Sequence, residues 1–246
     1  MEALPGTSDL ACGVPGRRAL VCAVVNPDRL LPSLARVVRG LSALFWGLPA
    51  ALLACTRTAV GDPWFQGGFW LPAAACGLVW FGLRQLAHFQ PQERIWTRAV
   101  ARAELFAATN FFLSPFTWWW SRRPENPFFG QSVLLLVFLS LAFLLSLNHV
   151  LRRLAALLPD ETLRSDMRLF TRLNAGLISG LGLLTGVWTT LLVLPRVPEA
   201  FSEIFEVLDQ SRLALVVTLG LLPVALTMTL VWKAKEAIVA DVFRGR

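Results

Sequence analysis

Apolar runs of bilayer length alternate along this chain with short stretches that carry its arginines. Gly40 to Thr56, Trp64 to Leu83, Phe128 to Val150 and Leu213 to Trp232 hold no charged residue, and Asn174 to Leu194 makes a fifth such run. Each approaches the roughly 17 to 25 residues that a helix needs to cross a hydrocarbon core about 30 Å thick. A sixth run, Leu105 to Trp120, covers about 24 Å as a helix. It reaches bilayer length when extended back to Ala99, with Arg102 and Glu104 at headgroup level, Arg102 by snorkelling.

Charge decides whether that sixth run crosses. Short cytoplasmic loops carry the excess of Lys and Arg. With the N-terminus inside and six crossings, 18 of the 23 basic residues fall on the inner side, leaving Arg57, Arg122, Arg123, Arg196 and Arg212 outside. If the run lies on the surface, every later loop changes sides and the division becomes 13 against 10. The predicted fold class is therefore all-α: a polytopic transmembrane helical bundle of six spans in three consecutive hairpins, with N-terminus and C-terminus both cytoplasmic. The spans are expected near residues 39–57, 64–83, 99–120, 128–150, 174–194 and 213–232. Residues 1–28 read as a loosely ordered cytoplasmic tail, and 29–246 as one transmembrane domain.

Local features fit this frame. Trp118, Trp119 and Trp120 arrive at the outer interface, where an indole keeps its ring among acyl chains and its N–H among headgroups. Pro124 and Pro127 hold a tight turn between the third and fourth spans. Pro49, Pro72, Pro115 and Pro223 lie within spans, and each is expected to bend its helix. Two connecting segments are amphipathic. On the outer side Phe201, Ile204, Phe205 and Leu208 share one helical face. On the inner side Asp160 stands as an N-cap, Leu163, Met167 and Phe170 share one face, and Arg164, Arg168 and Arg172 recur at steps of four.

Composition adds the class. With 55% apolar and 16% charged residues and a mean hydropathy of +0.58, the chain lies far from soluble-domain usage. The net charge of +7 sits beside apolar runs, so it is assigned to membrane topology rather than nucleic acid. Anionic phospholipid is the expected partner of Arg152, Arg153, Arg164, Arg168 and Arg172. The basic residues are almost all arginine, with Lys233 and Lys235 the only lysines, and tyrosine is absent. Such usage suggests a GC-rich bacterial genome and a multi-pass protein of the cell inner membrane.

Candidate chemistry is sparse. Ionisable side chains fall at the inner ends of the spans, away from the bilayer centre where ion pathways keep them. The most polar positions within spans are Asn110, Gln131, Ser140, Asn148 and His149, the candidates for lining a ligand. Folding the hairpin about Pro124 brings Asn110 to the depth of Ser140, and a hydrogen bond between them is the plainer expectation. In the fifth span Gly176, Ser179, Gly180, Gly182 and Gly186 form small-residue faces that admit a close helix. Packing within the chain is favoured, with a second membrane protein or a homo-oligomer as the alternative. Cys12, Cys22, Cys55 and Cys76 form no CxxC pair and have no histidine at ligand spacing, so no metal or cofactor is expected. No HExxH, GxSxG or Walker-type motif occurs. The expected function is a non-catalytic structural or assembly component of a membrane complex. The alternative is a carrier or channel for a neutral or amphipathic solute, and an intramembrane enzyme is less favoured.

Overall fold

The computed structural model describes residues 27–61, 68–89, 93–157, 161–193 and 220–239, and every regular element among them is an α-helix. They are α1 (Pro27–Val60), α2 (Trp70–Ala87), α3 (Arg94–Leu113), α4 (Phe116–Arg122), α5 (Pro127–Leu157) and α6 (Glu161–Val193). A last helix, α7, covers 220–239. The N-terminal tail through residue 26, the cap at Asp160 and the amphipathic segment around Phe201 to Leu208 lie outside the described residues.

The pairs α1–α2, α2–α3, α5–α6 and α6–α7 run antiparallel, as their side-chain pairings show. Gly40 of α1 lies against Gly82 of α2, and Gly47 against Val79. Arg84 pairs with Glu104 of α3 at 3.2 Å, while Trp80, a turn earlier, meets the Phe111 ring at 5.7 Å. Leu141 of α5 touches Gly182 of α6, and Asn174 of α6 bonds Thr227 of α7. The chain then closes on itself, because Trp232 of α7 meets Phe45 of α1 at 5.6 Å. One end of the bundle thereby collects Arg39, Arg84, Arg102, Arg152, Lys233 and Lys235 from five helices, and the other collects Val60, Trp70 and the tryptophans of α4 together with Arg57, Arg122 and Arg123.

Three departures from the sequence expectation have local causes. The third apolar run is two helices, broken where Pro115 has no N–H to return to the Phe111 carbonyl. The Ser114 hydroxyl takes that carbonyl at 2.8 Å, and Thr117 takes the Ser114 carbonyl at 2.7 Å, so both groups are satisfied while buried. Pro49 does not interrupt α1, and Pro72 falls in the first turn of α2, where an amide is spared. The inner amphipathic segment and the fifth run are one 33-residue helix, α6. At about 1.5 Å per residue it is roughly 50 Å long, so its arginine-bearing turns extend along the helix axis instead of forming a separate surface helix.

The turn into α5 follows ordinary capping chemistry. Asn126 Oδ1 accepts the Phe128 amide at 3.1 Å, and Pro127 occupies the first helical position. The core is aliphatic. Trp96, Leu41, Leu44, Leu83, Leu86, Leu147, Leu151, Leu154, Ile178 and Leu230 are fully buried in it. Among the described residues, two helical segments, Leu34–Val60 and Pro127–Ala156, are long and apolar enough to cross a membrane, with mean hydropathies of 1.6 and 2.4. The more apolar of them has only 28% of its strongest window buried, unlike the central helix of a soluble protein.

Candidate functional site

Three helices bring buried polar side chains to one point. Asn148 projects from α5 between the buried Leu147 and Leu151, Asn174 from the face of α6 that carries Met167 and Ile178, and Thr227 from α7 one turn after Pro223. All three are essentially inaccessible. Asn174 Nδ2 donates to Thr227 Oγ1 at 2.8 Å and to the Pro223 carbonyl at 3.2 Å. Thr227 Oγ1 lies 2.8 Å from the Pro223 carbonyl and 3.4 Å from Asn148 Oδ1. A hydroxyl has one proton, and the shorter contact with the helix carbonyl holds it. Asn148 is left with at most a weak bond at Oδ1, and neither its Nδ2 nor Asn174 Oδ1 has a partner. Each orphaned group costs about 1 to 3 kcal/mol if nothing completes it.

The node offers amides, a hydroxyl and a backbone carbonyl. It contains no group that titrates near neutrality and no activated nucleophile. Its chemistry is hydrogen bonding, either between helices or to a small neutral group. Among the described residues no three His, Cys, Asp or Glu side chains converge on a point that could hold a metal ion. Cys55 and Cys76 are free thiols.

The other positions singled out in the sequence are dispersed. Asn110 is buried in α3, but its Oδ1 has no partner, and the Ser140 hydroxyl donates to its own Leu136 carbonyl at 2.8 Å. The hairpin bond expected between them is therefore not made. Gln131 is exposed near the start of α5, and His149 is half-buried beside Asn148. Of the five ligand-lining candidates, only Asn148 enters the node. Its main partners, Asn174 and Thr227, escape a reading of single spans. Asn174 stands at the boundary of its apolar run, and threonine is common in membrane helices as a donor to its own backbone.

The small-residue faces of α6 divide in two. A Cβ added to Gly182 would meet Leu141 at 3.7 Å, an ordinary contact. One added at Gly176, Gly180 or Gly186 would meet no described atom within 4 Å. The expected packing within the chain is thus confined to Gly182. Gly176, Ser179 and Gly180 are exposed together with Leu183 and Val187, and Gly176, Gly180, Leu183 and Val187 recur at i, i+4, i+7 and i+11. That is the spacing of one helical seam.

Compared with known protein families, curated proteins and solved structures, the chain matches none.

Proposed function

We propose that this chain is an integral membrane protein that crosses a bacterial inner membrane six times, with its basic end in the cytoplasm. Its role on this reading is non-catalytic: it is an assembly component that docks another membrane helix along the outer seam of α6. The observation that carries this reading is the open seam itself. In lipid, helix association relies on close packing, because acyl chains are as apolar as leucine, and small residues permit that approach. A seam with glycines at two successive turns, continued by Leu183 and Val187, suits a partner helix better than it suits lipid. The membrane setting is supported by the basic residues gathered at one end and by the apolar surface of α5.

Two experiments test the two halves. In a chain whose cysteines are replaced by alanine, Asn126→Cys should react with an impermeant thiol reagent from outside intact cells, and Ser165→Cys should not. Outside labelling of Ser165→Cys would overturn the six-span topology. For assembly, the native complex extracted in mild detergent should lose mass in Gly180→Leu, while the chain itself stays folded. Equal mass for the two would remove the docking role.

The orphaned atoms of the polar node favour one second reading, a carrier for a small neutral solute. Thr227→Cys reacting with a water-soluble maleimide would support it, since a sealed interhelical tie admits no such reagent.

A further inference from the structure

At the basic end of the bundle α1 and α7 part to form a shallow groove of about 60 Å³, lined by Ser42, Phe45, Trp46, Val231, Trp232 and Lys235. The outward arms of this groove are unusual for their size. Trp46 is 68% exposed and Trp232 51% exposed, so two indoles stand open on either side of an apolar floor. Lys235 closes one end, with its ammonium 5.6 Å from the Trp232 ring. Arg39 lies one turn before Ser42 on the same face of α1 and is exposed. The groove therefore runs from a cationic and hydroxyl-bearing mouth onto an aromatic trough.

We infer that this groove binds one anionic phospholipid of the cytoplasmic leaflet, with its phosphate held at Lys235, Ser42 and Arg39 and an acyl chain laid between Trp46 and Trp232. The inference rests on the membrane reading above and adds a ligand site to it. Charge complementarity selects the occupant. A partner helix would have to place an acidic side chain opposite the lysine, whereas a phospholipid supplies an anion and a chain in the same order as the groove receives them. Indole rings favour the boundary between headgroups and chains, which is the depth at which a basic side chain meets lipid phosphate. A cation near an anionic membrane surface is expected to shift such an equilibrium about fivefold.

The test uses the full-length protein reconstituted in phosphatidylcholine vesicles carrying either dibrominated phosphatidylglycerol or dibrominated phosphatidylcholine, with tryptophan quenching as the readout. Wild type should be quenched more by the brominated anionic lipid, with about fivefold preference over the zwitterionic one. The preference should vanish in Lys235→Gln, persist in Lys235→Arg, and vanish in the doubly substituted Trp46→Phe, Trp232→Phe chain. Equal quenching of wild type by the two lipids, or a preference unchanged in Lys235→Gln, would overturn the site. Failure of the membrane reading looks different: neither brominated lipid would quench wild type at all, and alkaline carbonate would release the protein from cell membranes.

Discussion

The α1–α2 hairpin and α6 both carry glycines at helical spacing, and the two regions use them in opposite ways. Between α1 and α2 the backbones touch. A Cβ on Gly40 would lie 2.7 Å from the Gly82 carbonyl oxygen, and one on Gly82 would lie 2.9 Å from the Gly40 carbonyl oxygen. On α6, a Cβ at Gly176 or Gly180 would meet no described atom, and nearby Leu183 is 71% exposed. A glycine pair in a membrane helix thus marks a surface that can be approached, while the identity of the approaching helix is set elsewhere. For α1 a short connection brings α2 alongside. For the outer seam of α6, no described helix of this chain arrives, because its opposite face is already committed to Leu141 of α5 and Thr227 of α7.

Substitutions break this contrast in graded steps. Gly82→Leu should have the largest effect, because the nearest atom it meets, the Gly40 carbonyl oxygen, and the Leu44 amide are backbone and cannot rotate aside. A loss of about 3 kcal/mol or more is expected, read as a lowered thermal midpoint in detergent or as failure to accumulate. Thr227→Val comes next. It keeps the shape of the side chain but removes the acceptor of Asn174 Nδ2, for a loss of about 1 to 3 kcal/mol in the same assay. Because the node ties α6 to α7, proteolysis within α6 should also accelerate. Gly47→Ala should be milder, at about 1 kcal/mol. Its Cβ would meet the Val79 side chain at 2.9 Å, and better helix propensity offsets part of the clash. Gly180→Ala should not destabilise the isolated chain and should raise its midpoint slightly, by up to about 1 kcal/mol of helix propensity. A marked loss in Gly180→Ala, matching that of Gly47→Ala, would erase the distinction between the two regions.

Much of the architecture was legible from the sequence because the governing signals are local. Apolar runs gave the helices, and Pro124 with Pro127 marked the turn before α5. Helix bends were less legible, because proline acts by position: Pro72 spares an amide that the first turn leaves free, whereas Pro115 removes one in mid-run. The merging of the inner amphipathic segment into α6 was missed because it lacks a breaker, Asn174 being tolerated within the helix by its bonds to α7. The polar node was half legible. Asn148 stood out as an amide in an apolar run, but its convergence with Asn174 and Thr227 depends on how three helices rotate against one another, which no single periodicity contains. The glycines of closest approach within the chain were hidden for the same reason. Those of α6 draw attention through GxxxG spacing, while Gly40 and Gly82, which make the tightest backbone approach, sit singly on two different helices.

Whatever covers the outer seam of α6 decides the proposed assembly role. A photoreactive diazirine amino acid placed at Leu183 and activated in intact membranes measures this directly, with the same residue at the exposed Leu105 of α3 as the reference. A docked helix gives a discrete protein adduct from position 183, either a second copy of this chain or a distinct membrane protein, and lipid adducts alone from position 105. Lipid adducts alone from both positions would contradict that role.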